Sequence, residues 1–337
     1  MKVAVVILNY NTRDYLRKFL PGLLASCQGL DAQVMVADNA SADDSLQLMK
    51  SVFPDVPLRV LDKNYGFTGG YNRALKDLDA EYFVLINSDI EVPQEWLKPL
   101  IEWMDSHPDC GACGPKLLSY HQRDSFEYAG AAGGKLDKYG YPFCRGRILQ
   151  LVEKDHGQYD QPANVLWVSG ACLMVRASLW KELGGLDERF FAHMEEIDLC
   201  WRMQLRGWKV TLVPQSYVYH IGGGTLPNES PFKLRLNFRN NLLLLENNLP
   251  ATFVAQGRKE KAARRKTRMR IFLRMCLDGM SALVYLFTGR WSFFRSVVQA
   301  HWEYRHLRKR GEIPSHPHFP EGLYNGWVVP RGLFGKK

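Results

Sequence analysis

The segment Phe190-Phe191-Ala192-His193-Met194-Glu195-Glu196-Ile197-Asp198-Leu199-Cys200-Trp201-Arg202 packs three carboxylates into four residues where a helix is predicted to begin. A helix N-terminus favours acids by ~0.3–1 kcal/mol each, which is a structural reason for the cluster. Apolar Phe190, Phe191, Ile197 and Trp201 flank it, so it is not a solvated charge run. A carboxylate partly removed from water there has its pKa raised toward the range of a general base. Asp198 and Arg202 stand four apart and can pair, while Glu195 and Glu196 point to different helix faces.

Two further positions suit a cation held on a diphosphate. Asn87-Ser88-Asp89 follows the apolar run Tyr82–Ile86, which puts Asp89 at a sheet mouth where Mg²⁺ or Mn²⁺ can bridge diphosphate oxygens. The plainer reading is that Asp89 shapes a turn or caps a helix begun at Pro93. His220 follows Tyr217–Tyr219 and precedes Gly222-Gly223-Gly224-Thr225. A neutral imidazole there can complete a metal site otherwise made of carboxylate and phosphate oxygens, although a lone His is more often structural. Cys110-Gly-Ala-Cys113 has zinc or redox spacing but no second Cys pair, so two small buried residues beside a strand explain it better. Lys63 to Asn72 lacks both the Gly-Lys-Ser/Thr ending of a phosphate loop and the GxGxxG register, which argues against an ATPase and a dehydrogenase.

These residues must be positioned by the elements around them. Apolar β-branched runs alternate with helical patterns over the first hundred residues: Val3–Leu8 then Tyr15–Leu24, Gln33–Ala37 then Ser45–Val52, Leu58–Leu61 then Gly70–Leu78, Tyr82–Ile86 then Trp96–Met104. That pitch implies βαβ units in a mostly parallel sheet with flanking helices, whose ligands bind beyond the carboxyl ends of the strands. Cys110 to about Gln161 reads as irregular, with long loops. Val165–Val168, Ala171–Val175 and Lys209–Val213 read as short strands, Glu195–Arg206 as a helix, and helical character runs from Pro231 through Leu249.

Length and charge bound the class. At 337 residues and 46% hydrophobic, the chain can bury a sizeable core. The net charge of +9 is uneven: residues 258–310 hold 15 Lys/Arg against three acids, whereas residues 1–257 carry a net −4. Val3–Leu8 is too short for a secretory signal, Met275–Gly289 is too short and too polar to span a bilayer, and seven scattered cysteines make no disulfide framework. A cytoplasmic protein is expected.

Taken in order, the pieces resemble the inverting family 2 glycosyltransferases of GT-A fold, in their rhamnosyltransferase-like branch. The resemblance is carried by Val5-Val6-Ile7-Leu8-Asn9-Tyr10-Asn11, Val36-Ala37-Asp38-Asn39-Ala40-Ser41, Asn64-Tyr65-Gly66-Phe67-Thr68-Gly69-Gly70-Tyr71-Asn72, Leu85-Ile86-Asn87-Ser88-Asp89, Gly184-Gly185-Leu186-Asp187, Glu195 to Arg202, Arg206-Gly207-Trp208 and His220. It implies an α/β GT-A domain over residues 1–250 and a basic, aromatic-rich helical extension over 251–337. It further implies that Asp38 binds the nucleobase with Asn9 and Asn11 in the same pocket, and that Asn64 and Asn72 frame the donor diphosphate. Gly70, Asn87, Ser88, Trp167 and Gly170 complete the expected substrate contacts. Asp89 and His220 become the Mg²⁺ or Mn²⁺ ligands, with Asn87 in place of the first acid of a DxD motif. The family's base is the second acid of a Glu-Asp pair, here Glu196, one methylene longer; Glu195 and Asp198 are its alternatives. The implied reaction moves a sugar, with dTDP-rhamnose the favoured donor, from a nucleoside diphosphate to a hydroxyl of a glycan or lipid-linked acceptor in cell-surface polysaccharide synthesis.

The basic stretch 258–310 interleaves Arg/Lys with Phe272, Leu273, Leu277, Leu283, Phe287, Trp291, Phe294 and Trp302, which suits a helix on the anionic inner face of the cell membrane. A solvated face or a contact between two copies of the chain is the alternative use. A nucleic-acid-binding protein would leave the acidic body and its ordered carboxylates unexplained. A nucleotidyltransferase would want a glycine and a basic residue in the first loop, where Leu8-Asn9-Tyr10-Asn11 has neither.

Overall fold

The computed structural model describes residues 1–222 and 230–334. Its main sheet is fed by β1 (Val3–Asn9), β2 (Ala32–Asp38), β3 (Leu58–Val60), β4 (Tyr82–Ile86) and the short β5 (Ile90–Glu91), with α1 (Arg13–Ser26), α2 (Ser45–Val52), α3 (Gly66–Leu75) and α4 (Leu97–Ser106) between or after them. β6 (Cys110–Ser119) follows. A small sheet comes next, from β7 (Gly134–Asp137), β8 (Pro142–Cys144), β9 (Arg147–Ile148) and β10 (Leu151–Val152). The chain returns to the main sheet through β11 (Ala163–Asn164) and β12 (Cys172–Arg176), then runs through α5 (Ala177–Glu182), α6 (Glu195–Gln204) and β13 (Lys209–His220). Helices α7 (Pro231–Ala255), α8 (Glu260–Phe287) and α9 (Trp291–Leu307) lead to β14 (Leu323–Tyr324) and α10 (Val329–Phe334).

The main sheet has the order β11-β13-β6-β12-β4-β1-β2-β3, with β5 beside β13. β3, β2, β1 and β4 are mutually parallel, and β12 reverses the direction between β4 and β6. β1 is central because both its faces are apolar: Val3, Val5 and Ile7 join the core under α1, α2 and α4, while Ala4 and Val6 join the core on the other face. The parallel-rich sheet flanked by helices is the GT-A arrangement expected.

Two expectations need correction. Cys110–Ser119 is a ten-residue strand inside the sheet, not the start of an irregular stretch, and Cys110 and Cys113 lie on it, buried. Gly111 and Gly114 weaken its β-propensity, yet a Cβ at Gly111 would stand 2.6 Å from Leu179 and one at Gly114 2.9 Å from Val168, so close packing requires the glycines. The helix expected from Pro93 begins at Leu97, which removes a capping role for Asp89. The tail is woven into the body: β14 pairs with β7, and the backbone N–H of Glu321 donates to Gln204 (2.8 Å). All seven cysteines are free, and among the described residues no helix is long and apolar enough to cross a membrane.

One buried acid fastens α6 to α7. Asp198 is fully buried, accepting from Arg202 (2.7 Å), Asn247 (2.9 Å) and Asn248 (2.8 Å). Removing one partner of a buried pair costs more than the pair contributes, because the other charge is left without compensation. Asp198→Ala is expected to lower unfolding free energy by about 3–5 kcal/mol in chemical denaturation, with Asp198→Asn milder.

Candidate active site

The carboxyl ends of β1, β2 and β4 open on a cavity of about 500 Å³. It is lined by Leu8, Tyr10, Asn39, Asn64, Asn87, Ser88 and Asp89, by Gly170, Glu195, Glu196 and His220, and by Phe232 and Lys233 at the start of α7. Eight of the expected site residues therefore meet: Asn64, Asn87, Ser88, Asp89, Gly170, His220, Glu195 and Glu196 all line it.

Asp89 and His220 come together through the sheet. β5 pairs antiparallel with the end of β13, His220 opposite Ile90, so the residue before β5 faces the end of β13. His220 Nε2 lies 3.3 Å from Asp89 Oδ1, and its Nδ1 lies 3.4 Å from Glu127 Oε1. All three residues are buried. Burial opposes the imidazolium, but the two carboxylates outweigh it and push the His220 pKa up to about 10. Glu127 is fixed in turn by the Ala129 N–H (2.5 Å). It was not legible as a site residue, because nothing in the run Ser125-Phe126-Glu127-Tyr128 signals that the chain after β6 folds back onto His220.

The candidate carboxylates Glu195 and Glu196 follow a strained turn. Phe191, His193 and Met194 all have φ between 64° and 70°, a left-handed conformation that costs a non-glycine residue roughly 1–3 kcal/mol. α7 holds the turn in place. Asn240 Nδ2 donates to the carbonyls of Phe190 (2.9 Å), Ala192 (2.7 Å) and His193 (2.8 Å), and Arg239 donates to Phe190 O (2.8 Å). Gly66 completes the fit, since a Cβ there would stand 2.5 Å from the Phe191 ring.

The turn leaves Oε2 of Glu195, Oε2 of Glu196 and Nε2 of His193 buried with no hydrogen-bond partner. Burial raises the Glu196 pKa to about 7 against three backbone N–H groups that favour its charge. Burial together with the neighbouring Glu196 charge raises Glu195 well above the usual carboxylate range. The two therefore titrate as a coupled pair, both raised by burial. Burial, and then the Lys233 charge, lower His193 to about 4, and burial lowers Lys233.

Other expected residues lie off this cavity. Asp38 is buried with both oxygens engaged, by Asn9 Nδ2 (2.7 Å) and the Ser41 N–H (2.8 Å). Asn9 is linked onward through Thr12 (2.5 Å) to Ser88 (2.8 Å) in the cavity lining. Asn11, with φ 55°, accepts from the Ala42 N–H (2.7 Å) in a neighbouring depression. Asn72 clamps Leu186 by exchanging two backbone bonds (2.8 and 2.9 Å). Gly70 lets α3 approach β1, for a Cβ there would stand 2.6 Å from Leu8. Trp167 is buried under Gly134, donating to Lys135 O (3.2 Å). Asp198 faces α7. Gly222 stands beside Glu127, whereas Gly223, Gly224 and Thr225 lie outside the described residues. Sequence reasoning missed Tyr10, Asn39, Phe67, Glu127, Phe191, His193, Phe232 and Lys233. Of these Tyr10, Asn39, Phe67, Phe191 and His193 sat inside quoted segments without being given a role, and the Asn39 amide bridges Asn64 Oδ1 (3.0 Å) and Gly66 O (3.0 Å).

The sequence model described as Glycosyl transferase family 2 matches residues 4–183, just over half the chain. The chain belongs to this glycosyltransferase family. It is 28% identical over 236 residues to the N-acetylglucosaminyl-diphospho-decaprenol L-rhamnosyltransferase of Mycobacterium tuberculosis, a match covering 65% of this chain and 75% of that one. Rhamnosyltransferase WbbL of Escherichia coli is 25% identical over 228 residues, covering 65% of this chain and 83% of the relative. The mannosyltransferase PcManGT of Pyrobaculum calidifontis, solved with GDP-Man and Mn²⁺, shares the fold with a TM-score of 0.53 at 13% identity, over 91% of this chain and 88% of that one.

In this glycosyltransferase Asp89 offers an oxygen, and His220, once an ion displaces the proton that the two carboxylates hold on its ring, a nitrogen suited to Mg²⁺ or Mn²⁺. Among the described residues no group of three or more His, Cys, Asp or Glu is arranged to hold an ion alone, so the fit is to an ion whose remaining ligands are diphosphate oxygens and water. Glu127 would then orient His220 through Nδ1. Glu127→Gln is expected to weaken Mn²⁺ affinity by about 10–100-fold in calorimetry carried out with nucleoside diphosphate present. Unchanged affinity would remove Glu127 from the site.

Proposed function

We propose that this glycosyltransferase moves a sugar, rhamnose in the favoured case, from a nucleoside diphosphate to a hydroxyl of a glycan or lipid-linked acceptor, with inversion. One observation carries the reading: two desolvated carboxylates, one titrating near neutrality, line the same cavity as the Asp89–His220 pair at the mouth of a parallel sheet. The Mycobacterium and E. coli relatives named as rhamnosyltransferases support the donor sugar, and the former's decaprenol acceptor supports a lipid-linked one.

In the reaction Glu196 takes the proton of the acceptor hydroxyl. The oxygen attacks the anomeric carbon from the face opposite the donor diphosphate, whose C–O bond breaks with both electrons leaving on phosphate. A single displacement of this kind inverts the anomeric centre. Glu195, still protonated, keeps a second negative charge away from the base. Asp89 and His220 would hold Mg²⁺ or Mn²⁺, which neutralises charge on the departing diphosphate. Lys233 adds positive charge to the cavity lining. The enzyme would work in the cytoplasm, peripheral to the inner face of the membrane that carries its acceptor.

Purified protein with Mn²⁺ or Mg²⁺ is expected to release nucleoside diphosphate from dTDP-rhamnose in the presence of acceptor. Glu196→Gln is expected to lower kcat by about 10²–10⁴ while circular dichroism and the melting transition stay unchanged. Full turnover by Glu196→Gln would reassign the base. Release from another sugar nucleotide alone would replace the donor.

A further inference from the structure

The outward face of α8 is apolar along most of its length. Met269, Phe272, Cys276, Met280, Leu283 and Phe287 recur every three or four residues and are exposed, Phe287 by 83%. The stripe runs about 27 Å along the helix. The charged side chains between Phe272 and Gly289 are Arg274 and Asp278 alone, and these are buried against each other at 2.7 Å. Past the turn, Trp291, Val298 and Trp302 are exposed on α9, with exposed Arg290, Arg295 and Arg305 among them.

The position of this hairpin follows from its registers against α7. α8 runs antiparallel to α7, with Lys266 over the Phe253 ring (4.3 Å) and Arg274 donating to Asn241 (2.7 Å). α9 runs parallel to it: Glu303 pairs with Arg239 (3.0 Å), and further along the chain Gly311 lies against the carbonyl of Asn247. Followed toward Pro231 at about 1.5 Å per residue, both registers bring the tip, Phe287 to Trp291, to the end of α7 that carries Phe232 and Lys233. Those two residues line the cavity, and Phe232 is exposed.

We propose that the α8–α9 hairpin docks the enzyme on an anionic lipid bilayer through this stripe and tip, and so holds the cavity mouth at the membrane surface. The docking stands on the hairpin itself; only its use in turnover rests on the glycosyl-transfer reading. Charge selects the occupant. Residues 258–310 carry 15 cations against three acids, and two of those acids, Asp278 and Glu303, are already paired internally with Arg274 and Arg239. A twofold dimer would press this patch onto its own copy, positive against positive. A nucleic acid matches the charge but leaves the apolar stripe in water. Anionic lipid answers both, headgroups to the arginines and acyl chains to Phe287, Leu283 and Trp291.

The test is cosedimentation of the full chain with vesicles of phosphatidylcholine alone or mixed with phosphatidylglycerol, at low and high salt. Binding at least about tenfold tighter to the anionic vesicles, weakened by salt, is expected. The double variant Phe287→Glu/Trp291→Glu is expected to lose about tenfold in that binding and in turnover of a vesicle-borne lipid-linked acceptor, while nucleoside diphosphate release with a water-soluble acceptor is unchanged. Equal partition into both vesicle types, wild-type binding by the variant, or a solution dimer that the variant dissociates would overturn the proposal. Anionic vesicle binding without nucleotide release from any donor would uphold the docking and refute the catalytic reading.

Discussion

One pair of carboxylates is set in a largely buried position, and much of the site follows from that. Glu195 and Glu196 are adjacent in sequence, and burial makes a second negative charge there more costly than the first. The pair is therefore favoured with one proton between its two members. That retained proton is what would let the other carboxylate of an acidic helix start act as a base. The strain that delivers the pair, in Phe191, His193 and Met194, is offset by Arg239 and Asn240 reaching the turn's carbonyls from α7. The helix after the sheet thus positions the carboxylate-bearing turn although neither residue lines the cavity.

The sheet supplies another part of the cavity lining by equally simple means. Because β5 pairs with the last residues of β13, an aspartate following the fourth strand meets a histidine 131 residues later. Two such side chains, one just before β5 and one at the end of β13, would need little reorganisation to accept an ion with its diphosphate, with Glu127 standing 3.4 Å behind the ring.

What could be read from the sequence were features that are local. Asp89 was legible at the cavity because it directly follows a buried apolar run, and the Glu195–Glu196–Asp198 cluster because acids amid Phe190, Ile197 and Trp201 are anomalous for a solvated helix start; only the family resemblance singled out Glu196. The alternation of strands and helices over the first hundred residues gave the sheet. What was hidden depends on contacts distant in the chain. Glu127 reaches His220, and Phe232 and Lys233 reach the cavity, only through folding that brings distant segments together. β6 was obscured because the glycines that permit its packing also lower its propensity. Asp198 looked like a third candidate base, yet its spacing to Arg202 marked it equally as a buried ion pair, and the asparagines of α7 decide between the two.

The central claim is that Glu196 is poised near neutrality by burial and is the group that must lose its proton. The pH dependence of kcat/KM for nucleoside diphosphate release, measured at saturating Mn²⁺ from pH 5 to 9, tests it most directly. The account requires activity to rise with pH, about tenfold per unit on the acid side, and to level off near pH 7 as Glu196 ionises. A profile already flat at pH 5.5, as for a solvated carboxylate, would contradict it.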